Sequence, residues 1–244
     1  ATTEIYTLSL HDALPIYHYV QDEADFYLFF NESPVEAIHT YVKLGANGKN
    51  VFAYDAFDNK IYKAKMKDGA LKLDLAPYEA CIAVVGEVDE RILSNPFEEE
   101  ECTVTQIKGP WKLVLKEVGR EDEVTEENFS RLYDITAPSN KPYFTGSMEY
   151  ETKFYIDKGC SQALIDLGKV YETVEVWVNG KQAGVRIGPP YKFSIGDLMQ
   201  PGENCLKVRV VNHLGHRQRD YFSMTMPMEP SGLLGPVLLK SVIR

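Results

Sequence analysis

The sequence predicts an all-β protein built from antiparallel sandwiches, and three observations carry that expectation. Val174, Val176 and Val178 alternate with Glu175, Trp177 and Asn179, the period-two pattern of a strand with one buried face. Asn179-Gly180 follows at once, the pair best suited to the two positive φ angles of a type I′ hairpin turn. Along most of the chain, short apolar runs arrive about every 8–12 residues with turn residues between them, the cadence of a sandwich.

Residues 1–16 stand outside this pattern. They lack an initiator Met, a basic segment and a small-residue cleavage site, so they do not read as a signal peptide. Residues 2–16, TTEIYTLSLHDALPI, resemble the translation of a sequencing adapter that contaminates metagenomic reading frames, and native sequence is expected to begin near Tyr17. His11 and Asp12 then carry no function.

Residues 17–88 read as a small β-sandwich. Phe26, Leu28 and Phe30 alternate with Tyr27 and Phe29, apolar on both sides as in a well-covered strand. Turns are expected at residues 31–34, 45–49, 58–59 and 67–69, and Leu71, Leu73 and Leu75 then alternate before Pro77-Tyr78-Glu79. Residues 89–101 hold Pro96 and the run Glu98, Glu99, Glu100 and Glu101, which reads as a solvated linker. A contiguous acidic run cannot converge on one cation as a calcium site requires.

Residues 102–244 form the second predicted module. Residues 107–115 are a strand carrying Gly109-Pro110-Trp111, and residues 121–130 are polar and read as a loop or short helix. Residues 142–154 and 164–168 supply further strands, then the 174–178 strand and its hairpin. Pro201-Gly202 turns the chain into a strand with Leu206, Val208 and Val210 on one face. Residues 213–228 break the β pattern, and residues 231–237 lead into a last strand.

The order strand, VWVNGK turn, PY, FSIGDL, PGEN turn, strand resembles the sugar-binding jelly roll of glycoside hydrolase family 2. It is also similar to the related module of family 106, which includes α-L-rhamnosidases. The GPW strand, PYFTGSMEYETKF with Phe144, Thr145, Gly146, Tyr150 and Phe154, LIDLG, and SGLLGPV add to that resemblance. The first module is similar to the small β domain that follows the catalytic barrel in such hydrolases, through its strand ending in Asn-Glu and its LDLAPYE. The resemblance implies a galactose-binding-like jelly roll in the second module. It further implies that the chain is the non-catalytic C-terminal region of a glycoside hydrolase, bracing an upstream catalytic domain and binding carbohydrate weakly. It points to an extracellular or periplasmic location. An independent lectin-like module and a purely structural domain are the other readings.

Composition narrows the partners. A net charge of −10 argues against nucleic acid, whose binders gather Lys and Arg on one face. No apolar run approaches the roughly 20 residues of a membrane helix. Cys81, Cys102, Cys160 and Cys205 make no metal-binding spacing, and Cys81 and Cys205 read as buried free thiols. No acidic pair stands in a catalytic context, so no catalytic residues, cofactor or metal are expected.

Two places are expected to carry binding. Alternation puts Trp177 and Glu175 on the face opposite the valines, where a flat indole, together with Tyr191, could stack on a sugar. The competing reading packs the indole beneath the Pro189-Pro190-Tyr191 loop, since burying about 200 Å² is worth several kcal/mol. The second place is the irregular segment with His213, His216, Arg217, Arg219 and Tyr221, expected to dock against the upstream domain. Its two histidines lack an evident third metal ligand in the sequence.

Overall fold

The computed structural model describes residues 16–21, 23–45, 49–87, 102–157, 160, 162–218 and 225–242. The adapter-like residues 1–15 and the acidic residues 88–101 lie outside the described residues, as do Arg219 and Tyr221. The chain is almost entirely antiparallel β and divides into two compact units, Ala1–Glu99 and Glu100–Arg244.

In the first unit, β1 (Ile16–Gln21), β2 (Ala24–Phe30), β4 (Val51–Asp55), β5 (Lys60–Lys63) and β8 (Ala80–Val85) form a sheet of order β1-β2-β8-β4-β5. A second sheet has β7 (Ala70–Leu75) between β3 (Ile38–Val42) and β6 (Met66–Lys67). Leu71, Leu73 and Leu75 meet Phe29 and Ala83 in one buried cluster, while Phe52, Ile61 and Val84 gather with Phe26 in another. Both faces of β2 therefore meet apolar neighbours, as its unbroken apolar run requires. Asn31 at the end of β2 is fully buried. Its amide donates to the carbonyls of Glu36, Leu75 and Ala76, joining the ends of β2 and β7.

In the second unit, a six-stranded sheet has order β11-β10-β12-β18-β15-β16. Its members are β10 (Trp111–Glu117), β11 (Glu123–Phe129), β12 (Gly146–Ile156), β15 (Thr173–Val178), β16 (Lys181–Arg186) and β18 (Gly202–Val211). A four-stranded sheet, order β17-β13-β20-β9, contains β9 (Cys102–Gln106), β13 (Ala163–Asp166), β17 (Lys192–Ser194) and β20 (Leu238–Val242). Two short strands, β14 (Lys169–Tyr171) and β19 (Gly232–Gly235), pair beside them. Val174, Val176, Val178, Leu206, Val208 and Val210 pack with Ile165, Phe193 and Leu239 of the smaller sheet, so the core lies between the two sheets.

The predicted hairpin turn is present: Asn179 and Gly180 have φ of 52° and 77°, both in the left-handed region. Asn179 also does more than turn the chain. Its side chain donates to Leu198 O and Asn204 Oδ1 and accepts from the Cys205 amide, tying the hairpin to the PGEN turn. Residues 123–129 correct the expectation of a loop or helix, because they form the edge strand β11. Pairing with β10 organises them, and a polar, charged edge strand needs no apolar alternation. Cys205 is exposed rather than buried, since it points away from the face that carries Leu206. Cys81 is partly covered, and burial pushes its thiol up to about 11.

Candidate functional site

The outer face of the six-stranded sheet is a lattice of charges around one indole. Trp177 stands opposite Lys207 in the β15–β18 register, and the charged groups of Lys207 and Arg209 lie 5.9 and 5.7 Å from its ring centroid. Arg209 holds both oxygens of Glu175 at 2.9 Å, and Lys207 holds Glu149 at 2.8 Å. Cross-strand pairs of opposite charge of this kind add modestly to sheet stability. The indole is half-buried, with two cationic side chains beside its ring in a cation–π arrangement. Tyr191 corrects the expected site. It is buried in the core on the other side of the sheet, its hydroxyl donates to Glu172 O, and burial pushes it up to about 12. Trp177 and Glu175 share a face, and Tyr191 does not join them.

Glu149 makes this face sensitive to acid. Burial works to raise its carboxyl, but the hydrogen bond and charge of Lys207, with Lys116 and Arg209, outweigh this and hold it below the usual carboxylate range. A depressed folded value gives stability that is present above the ordinary value of 4.5 and lost as pH falls through the lower folded one. Urea midpoints should therefore drop below about pH 4.5, and Glu149→Gln should lose less over that window than the parent chain. Equal losses in the two proteins would show that Glu149 contributes nothing to the acid response.

A second polar site is built where β14 passes into β15 and where β18 ends. Glu172 occupies the joint with φ of 80°, a conformation rare outside Gly and Asn, and the Tyr191 hydroxyl holds its carbonyl. His213 caps the 3₁₀ turn Leu214–His216, its Nδ1 accepting from the Gly215 amide at 2.9 Å. With Nδ1 an acceptor, the proton sits on Nε2 and is donated to Glu172 Oε1 at 3.0 Å. In a 3₁₀ turn, residues three apart eclipse, so His216 stacks on His213 with ring centroids 5.5 Å apart. A Cβ at Gly215 would come within 2.4 Å of the His213 ring, so a larger residue there would displace that ring. Burial raises the Glu172 carboxyl, and His213 opposes this without cancelling it.

Behind this pair runs a buried network. His216 Nε2 meets Ser231 Oγ at 3.1 Å, and Asn212 donates to both Ser231 Oγ and Phe144 O while accepting from the Gly146 amide. Asp134 Oδ1 accepts from the Ser231 amide and from the amide and hydroxyl of Thr136. That carboxylate is therefore occupied in holding the 131–141 loop. A cleft of about 620 Å³ opens beside this loop, lined in part by Arg131, Tyr133, Asn140, Lys169 and Leu234. The Tyr133 hydroxyl donates to Glu126, and burial followed by that carboxylate pushes the phenol upward.

Sequence reasoning found His213 and His216 but expected no metal ligands. The structure supplies a third donor, because Glu172, His213 and His216 offer ligand atoms all within 4.8 Å of one another. Glu172 lies far back in the sequence and its position depends on the β14–β15 joint, so spacing gave no sign of it. Arg217, expected to dock against the upstream domain, donates to Val118 O of its own unit at 2.6 Å. The cleft was not anticipated, since its lining comes from separated loops.

No protein-family model matches the sequence. Over 95 residues, 36% of this chain, it is 30% identical to a putative β-glucuronidase of Formosa agariphila, and the match spans 8% of that protein. Among solved structures, a rhamnosidase from a Novosphingobium species superposes on 98% of the chain with a TM-score of 0.69 and 20% identity. The chain covers 25% of that rhamnosidase. A β-glucuronidase from an uncultured Clostridium matches 58% of the chain at 22% identity with a TM-score of 0.41, covering 29% of that enzyme. Nearly the whole chain shares the fold of about one quarter of a rhamnosidase.

Proposed function

We propose that this chain is a non-catalytic region of a larger glycoside hydrolase, bracing the catalytic domain and binding carbohydrate weakly at most. The observation that carries this reading is the superposition along 98% of the chain on only 25% of a rhamnosidase, which leaves three quarters of that enzyme for other work. The state of the carboxylates supports it. Hydrolysis uses two carboxyl groups facing a scissile bond, one to donate a proton and one to attack or activate water. Asp134, the acid in the lining of the cleft, accepts from three donors of its own unit through Oδ1. The purified chain should release no nitrophenol from aryl α-L-rhamnosides or β-D-glucuronides. Turnover that disappears on removing a carboxylate would overturn the reading.

Weak sugar binding belongs at the cleft rather than at Trp177. The indole faces a flat, ion-paired surface whose carboxylate Glu175 is already satisfied by Arg209. The cleft is concave and joins the Tyr133 ring to the exposed Arg131, Asn140 and Lys169. One shallow site of this kind holds a sugar with millimolar affinity, about −4 kcal/mol. In an NMR titration with rhamnose or glucuronate, Arg131→Ala and Lys169→Ala should weaken binding while Trp177→Ala leaves it unchanged. The reverse pattern would favour the lectin-like reading, with Trp177 as the platform.

A further inference from the structure

We propose that Glu172, His213 and His216 form a binding site for a divalent transition-metal ion of the zinc class. Two imidazoles and one carboxylate suit zinc, whose sites commonly take three protein ligands and leave a position for water. Calcium is excluded by the same donors, because it takes six or more oxygens. The three ligand atoms lie within 4.8 Å of one another, and the His213–Glu172 pair, at 3.0 Å, already has a spacing two ligands of one ion can share.

Each ligand is aimed by a separate feature of the fold. Glu172 is fixed by its left-handed backbone and by the Tyr191 hydroxyl on its carbonyl. The 3₁₀ turn stacks the two imidazoles on one side. His216 is 3% exposed, and its Nε2 is held by Ser231 Oγ. A ligating histidine ordinarily engages its second nitrogen with a fixed partner of this kind. His213 ligates through Nε2, in place of the proton now shared with Glu172. That proton moves to Nδ1, and the Gly215 amide gives up its bond there. The ion cross-links the β14–β15 joint to the turn after β18.

Cobalt(II) tests this on the full chain, because its visible bands distinguish nitrogen and oxygen ligands from thiolate. The expected result is saturation at one equivalent, visible d–d bands without a thiolate charge-transfer band, and displacement by zinc. His213→Ala and Glu172→Gln should each weaken binding at least tenfold. Each variant also loses the His213–Glu172 contact, so metal-free melting is recorded beside the titration to read lost binding apart from lost stability. Gly215→Ala, which displaces the His213 ring without removing a donor atom, should weaken binding as well. No saturable binding, a thiolate band, or unchanged affinity in both donor variants would overturn the proposal.

Discussion

Gly146→Ala is expected to lower the unfolding midpoint of the second unit by about 10–20 °C, from a loss of about 4–5 kcal/mol. Gly146 opens β12 with φ of 156°, and a Cβ there would stand 1.9 Å from Lys116 O and 2.9 Å from that carbonyl's carbon. Neither atom can retreat. Lys116 and Glu117 are in register with Ser147 and Gly146 along the central ladder, and the Gly146 amide is bound by Asn212. Gly180→Ala separates the two costs of a substituted glycine. Gly180 also has positive φ, 77°, but nothing lies within 4 Å of its added Cβ. Its penalty should be confined to about 1 kcal/mol of backbone strain. Similar midpoints for the two variants in thermal melts would show that the close approach at Gly146 relaxes cheaply.

Asn212→Ala carries the second large expected loss, about 3–5 kcal/mol. The side chain is buried and serves three partners at once: the Gly146 amide, Phe144 O and Ser231 Oγ. Each buried group stranded by its removal costs about 1–3 kcal/mol. Ser231→Ala removes one hydroxyl from the same network and should cost less, about 1–2 kcal/mol. Because Gly146 and Asn212 share a hydrogen bond, the Gly146→Ala, Asn212→Ala double variant should lose less than the sum of the two. Denaturant midpoints with unchanged m-values measure all of these. An Asn212→Ala midpoint matching the parent's would mean that the network is dispensable.

The parts of this fold that were legible in the sequence are those where one strand carries its own signal. Val174, Val176 and Val178 are all fully buried, and Leu206, Val208 and Val210 lie beside them on the same inner face of the sheet, as alternation demands. Asn179-Gly180 turns as its residue types dictate. Elements whose shape is imposed by a neighbour were not legible. β11 is polar on both faces and becomes a strand only because β10 offers it a ladder. Tyr191 reads as a surface aromatic from its loop context, yet its hydroxyl finds Glu172 O and its ring joins the core.

The candidate sites follow the same rule. Trp177 was placed on the outer face correctly, but its cover of Lys207 and Arg209 comes from β18, across the sheet. His213 and His216 are neighbours along the chain and were visible as a pair. Glu172 joins them only once the β14–β15 joint has been folded. Asn212 looks like the end of a strand in sequence, whereas in the fold it closes a network from Phe144 to Ser231.

The measurement that tests the central reading most directly is long-read sequencing of the source locus across the codons for Ile16 and Tyr17. A reading frame continuing upstream into a barrel domain with two catalytic carboxylates is the expected result, and it would move the hydrolytic chemistry off these 244 residues. An intact gene whose own start lies at this point would contradict it and leave a stand-alone β protein.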